Sequence, residues 1–119
     1  MNKITGTITF TGERPAWAEP GMEQVGWRIE LRYQGRRMGV DFYSSTEPTL
    51  ADVLECVAMD ASGADQTFED WASGYGYDPD SRSAERTWKA CVMQTAKLRR
   101  LLGSDFDTIT QADRFERFV

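Results

Sequence analysis

"VGWRIELRYQGRRMGVDFYS", residues 25 to 44, is the stretch whose reading decides the fold. Val25, Trp27, Ile29, Leu31 and Tyr33 alternate with polar residues, and Met38, Val40 and Phe42 resume the alternation after Gln34-Gly35. A period of two marks a strand with one buried face. Closing the two runs with a two-residue loop at Gln34-Gly35 sets Tyr33 opposite Arg36, Leu31 opposite Met38, Ile29 opposite Val40 and Trp27 opposite Phe42. The apolar residues then share one face. The reverse face pairs Arg28 with Asp41 and Arg32 with Arg37, so it is either solvated or meets something acidic.

Working outward, Ile4, Ile8 and Phe10 alternate with threonines and predict a first strand. A loop carrying Pro15, Pro20 and Gly21 separates it from the hairpin. Beyond Pro48 the period becomes helical. Thr49-x-x-Asp52 fits a capping box, Leu50, Val53, Leu54, Val57 and Ala58 form one stripe, and Gly63 is expected to end that helix. Thr67-x-x-Asp70 repeats the device before a short helix with Phe68 and Trp71. The longest helix is expected from about Ser81 to Leu102, closed by Gly103, with Ala84, Trp88, Cys91, Val92, Thr95, Leu98 and Leu102 on one face. A last short helix is expected to begin at Thr110, anchored by Phe115 and Phe118. Strands followed by helices give an α+β fold: an N-terminal three-stranded antiparallel sheet packed on one face by three to four C-terminal helices. The expectation is one domain over 1–119, a β-meander over 1–45 and a helical part over 49–119.

With 119 residues and two cysteines, the chain has the size of one domain without a disulfide scaffold. Cys56 and Cys91 are expected as buried, reduced thiols. There is no histidine, which removes the Ser/His and Cys/His nucleophile pairs, the commonest general base and a Cys/His zinc site. No phosphate-binding glycine loop or nucleophile elbow is present. The expectation is therefore a protein that is not an enzyme, with no catalytic residues, no metal and no cofactor. No apolar run is long enough to span a membrane, and the N-terminus lacks the layout of a secretory signal, so the expected location is cytoplasmic.

"GYGYDPDSRS", Gly74 to Ser83, invites a metal or catalytic reading because it holds Asp78 and Asp80. A calcium loop would need further acids at fixed positions that are missing, and two carboxylates with no partner chemistry are not a catalytic site. The residues fit a corner between helices: Asp80 and Ser81 suit an N-cap, Gly74 and Gly76 suit the preceding helix end, and Tyr75 and Tyr77 pack over the junction. As aromatic residues beside carboxylates, they also suit a protein interface.

The run "FEDWASGYGYDPDSRSAERTWKAC", from Phe68 to Cys91, resembles a signature of small uncharacterised phage and prophage proteins, followed here by "TAKLRRLLG". The matching positions are Phe68, Trp71, Tyr75, Gly76, Tyr77, Asp78, Asp80, Ser81, Arg82, Ala84, Glu85 and Cys91. Ala72 stands where that pattern expects a cysteine. The resemblance implies an origin on a mobile element, where small inhibitors of bacterial defence, anti-CRISPR proteins among them, are found.

The net charge of −5 hides a partition. Ten carboxylates and no base lie between Asp41 and Ser81, whereas six bases and the single acid Glu85 lie between Arg82 and Arg100. Blocks of one sign steer association with oppositely charged partners. The expected partner is a host protein or nucleoprotein complex, bound through Asp52, Glu55, Asp65, Glu69, Asp70, Tyr75, Tyr77 and Asp78 and inhibited by that acidic surface. The alternative is a nucleic-acid-binding accessory protein using Arg82, Arg86, Lys89, Lys97 and Arg100 on the long helix. The overall acidity argues against direct nucleic-acid contact. Trp17, Met22 and Met93 are candidates for an exposed apolar patch; the sequence leaves the oligomeric state open, and a homodimer is one way to bury Met93 amid the basic stripe.

Overall fold

A computed structural model describes residues 3–15, 21 and 23–119. Trp17 and Met22 lie outside the described residues. The fold is α+β, an N-terminal three-stranded antiparallel sheet followed by C-terminal helices. The strands β1 (Thr5–Phe10), β2 (Val25–Tyr33) and β3 (Arg36–Ser44) lie in the order β1-β2-β3. The helices are α1 (Leu50–Ala64), α2 (Phe68–Gly74), α3 (Arg82–Leu102) and α4 (Phe106–Thr110), with 3-10 turns at Gly103–Asp105 and Phe115–Phe118. The chain forms two compact units, one of residues 1–54 with 113–119 and one of residues 55–112.

In the first unit the hairpin has the register its alternation dictates: Tyr33 faces Arg36, Leu31 faces Met38, Ile29 faces Val40 and Trp27 faces Phe42. Gln34 (φ 50°) and Gly35 (φ 79°) are both left-handed, the requirement of the tight turn whose twist matches the strands. Ile29, Leu31, Tyr33, Met38 and Val40 are buried. β1 continues the apolar face, with Ile8 opposite Ile29 and Phe10 opposite Trp27, their rings 5.1 Å apart edge to face. Two residues before Ile8, Gly6 faces Leu31, and a side chain there would run into the Glu30 carbonyl and come within 3.2 Å of Leu50. On the other face Arg28 and Asp41 form the expected ion pair at 2.8 Å. Arg32 turns to Glu30 at 2.7 Å instead of repelling Arg37 unrelieved. The Ile4 amide donates to the Phe118 carbonyl and Lys3 Nζ to the Arg117 carbonyl, so 113–119 belongs to the sheet unit.

α1 opens with the reciprocal capping box: Thr49 Oγ1 accepts from the Asp52 amide at 3.1 Å, and Asp52 Oδ2 accepts from the Thr49 amide at 3.0 Å. Gly63 does not end the helix. It lies inside the last turn, where a side chain would come within 2.8 Å of Trp71 Cδ1. α3 begins as expected, with Ser81 Oγ accepting from the Ala84 amide at 3.2 Å, and ends at Gly103 (φ 57°). The last helix is α4, which ends at Thr110 and does not begin there, because Phe106 and Ile109 are the buried anchors and the Gln111 amide closes on the Asp107 carbonyl.

Candidate functional site

The second unit contains a pocket built from a helix end. Thr67 Oγ1 accepts from the Asp70 amide at 3.2 Å and starts α2, whose Trp71 and Ala72 are buried beside Ala84. Phe68 and Trp88 pack on the same cluster with ring centres 5.8 Å apart. α2 stops by a Schellman arrangement. The Gly76 amide donates to the Ser73 carbonyl at 3.3 Å, the Tyr77 amide reaches back to the Ala72 carbonyl at 2.8 Å, and Gly76 takes φ 75°. This reversal brings the Tyr77 ring onto Trp71, with ring centres 5.3 Å apart and planes 14° apart, while Tyr75 tilts against the same indole at 5.4 Å. Tyr75 stays 60% and Tyr77 48% exposed, so each offers a free ring surface.

The facing wall comes from α1. Met59, Asp60 and Gly63 join Trp71, Tyr75, Tyr77, Thr87 and Cys91 around a cavity of about 210 Å³. Asp60 Oδ2 accepts from Gln94 Nε2 at 3.0 Å, and the Cys91 thiol donates to the same carboxylate. Among the described residues no lysine or arginine lies within ion-pair distance of Asp60. Burial therefore raises the Asp60 pKa, and the thiol hydrogen bond only partly opposes it. The Cys91 thiol is pushed up to about 11, by burial first, then by the negative charge of Asp60 and the bond to it. At neutral pH it stays protonated and is a poor nucleophile. Cys56 is exposed and Cys91 half-buried, which corrects the expectation of two buried thiols: Cys56 sits on the flank of α1 away from the Val53-Leu54-Val57 stripe. Even so, partial burial of its sulfur, Asp60 and Glu55 raise the Cys56 thiol.

The residues expected to meet a partner are dispersed. Asp52 belongs to the first unit and is occupied as the helix cap. Glu55, Glu69 and Asp70 are exposed, and no ion pair among the described residues involves them. Asp65 is compensated in part by Arg99 at 3.6 Å, whose guanidinium also lies 4.2 Å from the Phe106 ring centre. Asp78 Oδ1 accepts from the Asp80 amide at 2.9 Å, so it shapes the corner. Tyr75 and Tyr77 are the two that share the pocket. Of the alternative set, Arg82, Arg86, Lys89, Lys97 and Arg100 are all exposed on α3; Lys89 pairs with Glu85 at 3.1 Å, and Met93, between Lys89 and Lys97, is 63% exposed.

Met59 and Asp60 were not among the expected site residues. Their signal is in the sequence as a second stripe: Cys56, Met59, Asp60 and Gly63 are spaced i, i+3, i+4, i+7 on α1, off the core stripe. Among the described residues no group of three or more metal-ligating side chains converges, and no helix is long and apolar enough to cross a membrane. Set against protein-family models, curated proteins and solved structures, the chain gave no match in any of the three.

Proposed function

We propose that the protein is a non-enzymatic inhibitor of mobile-element origin, which binds a host defence nucleoprotein in the manner of an anti-CRISPR protein and occupies a basic, nucleic-acid-binding surface with its own carboxylates. The observation that carries this reading is the exposure of Glu55, Glu69 and Asp70 without ion-pair partners among the described residues, in the unit that also holds the exposed rings of Tyr75 and Tyr77 and exposed Met59. Unpaired surface carboxylates mimic a phosphate run, and aromatic rings with methionine supply the apolar contact area of an interface. The resemblance of the Phe68–Cys91 run to phage proteins points to the same class of partner.

The test is expression in bacterial hosts that each carry one defence system, followed by phage challenge. Restored plaque formation in one host, lost on the double replacement Glu69→Lys with Asp70→Lys, is the expected result; unchanged protection in every host sinks the reading. The α3 bases offer a second reading because Arg82, Arg86, Lys97 and Arg100 are exposed and unpaired among the described residues. Retention on a heparin column at low salt, abolished by Arg86→Glu with Lys97→Glu, would favour nucleic-acid binding through α3 instead.

A further inference from the structure

We propose that the pocket of Trp71, Tyr75 and Tyr77 is a receptor for one arginine side chain of a protein partner, with its guanidinium seated between the rings and the Asp60 carboxylate. This inference rests on the binding reading above and deepens it, from a diffuse acidic surface to one anchor point.

Three observations converge. First, the lining contains one carboxylate, Asp60, and no cation. Half-buried carboxylates are costly unless compensated, and Asp60 has only neutral donors, Gln94 Nε2 and the Cys91 thiol. An ionised carboxylate accepts more bonds than these two, so it has capacity left for a charged donor. Second, Trp71, Tyr75 and Tyr77 make part of the remaining wall aromatic, beside Met59, Gly63, Thr87 and Cys91. Trp71 and Tyr77 are stacked within 14° of parallel and Tyr75 lies 5.4 Å from the same indole. Ring faces attract cations, and the planar guanidinium stacks on them better than a compact ammonium does. Third, the cavity of about 210 Å³ has the volume of roughly seven liquid waters at about 30 Å³ each, enough for arginine from Cγ to its guanidinium. An aliphatic anchor of similar size would fill the space but bury Asp60 without a charged donor, which disfavours it.

The corner geometry keeps the receptor formed in the absence of ligand. Tyr77 is held by the hydrogen bond its backbone amide donates to the Ala72 carbonyl at 2.8 Å, and Asp60 is aimed by Gln94 Nε2, which donates to it at 3.0 Å. Preorganisation of this kind reduces the ordering cost of binding.

The experiment is an amide-resolved NMR titration of the intact protein with acetyl-Gly-Arg-Gly-amide, beside matched peptides carrying citrulline or lysine. Citrulline keeps the shape and removes the charge. The arginine peptide is expected to shift the amides of Asp60, Tyr75, Tyr77 and Cys91 saturably, the lysine peptide more weakly and the citrulline peptide not at all. Asp60→Asn, isosteric and uncharged, is expected to weaken the arginine peptide about tenfold, the size of one charge-assisted contact. Tyr77→Ala provides a second variant should Asp60→Asn perturb the fold. Equal shifts from arginine and citrulline, or undiminished binding by both variants, overturn the receptor. The two readings fail separately: a host partner still bound by Asp60→Asn but lost by Glu69→Lys with Asp70→Lys removes the arginine receptor and leaves the acidic surface. Saturable, charge-dependent peptide binding without any protected host keeps the receptor and removes the defence target.

Discussion

Single residues carry more of this site than their types suggest. Gly63 is a glycine because of its neighbour, since its backbone is helical and needs no left-handed freedom. A side chain there would meet Trp71 Cδ1 at 2.8 Å and Nε1 at 3.0 Å. Gly63→Ala gains about 1 kcal/mol of helix propensity but forces a rigid indole to move, an overpacking cost of about 1–3 kcal/mol. The expected outcome is a net loss of about 1 kcal/mol in urea unfolding, with displacement of Trp71 seen as altered near-ultraviolet dichroism. Asp60 and Cys91 form the second residue-scale device. Because the folded thiol titrates near 11 and an ordinary one near 9.0, the native state holds the extra proton between those values. Stability from this group therefore falls as pH rises across that window. Asp60→Asn removes the charge behind two causes of the shift, so the Cys91 pKa should move down toward 9.0. Alkylation rate against pH in a Cys56→Ser background measures it, and an unmoved profile would separate Cys91 from Asp60.

At the scale of elements, the ends of helices and strands decide where aromatic rings go. α2 ends at Gly74 with Tyr75 as its cap, and the next residue, Gly76, takes a φ of 75° that lets the Tyr77 amide reach the Ala72 carbonyl and the Tyr77 ring reach Trp71. Gly76→Ala puts a Cβ into a left-handed position at a cost of about 1 kcal/mol. It should also unstack Tyr77, read as loss of aromatic dichroism and of peptide binding. The hairpin is a converse case: Gln34 holds φ 50° without glycine's freedom. Gln34→Asn, a residue better suited to that turn, should stabilise by about 0.5 kcal/mol in thermal unfolding. Much of this level is legible in the sequence. Alternation through Leu31 and Met38 fixes the register, and Thr49, Thr67 and Ser81 announce helix starts because a cap is a local hydrogen bond between near neighbours. The pocket is legible only in part. Tyr75 and Tyr77 stand out, but Asp60 gains its meaning from Gln94 and Cys91 on another helix, a pairing that no local period encodes. Gly63 misleads for the same reason, since a helix terminator and a slot for a distant ring look alike in one dimension.

For the molecule as a whole, charge dominates behaviour in solution. A formal charge of −5 and an isoelectric point near 4.7 place the solubility minimum close to that pH. Turbidity should peak there, and Glu69→Lys with Asp70→Lys should move the peak upward. Association through exposed carboxylates should also weaken with added salt, because their field is screened over about 8–10 Å at 0.1–0.15 M. A salt-independent affinity for the host partner would argue that the aromatic wall alone carries binding.

The bonds from Lys3 and Ile4 to Arg117 and Phe118 have a bearing on biogenesis. The ribosome makes residues 55–112 before 113–119, so the helical unit has all its parts while Lys3 and Ile4, just ahead of β1, still wait for their partners. Until then the Ile4 amide at the head of the meander has no Phe118 carbonyl to meet, and the β1 edge beside it is open to pairing with another nascent chain. Synthesis order thus makes Phe118 a latch on residues made before the hairpin itself.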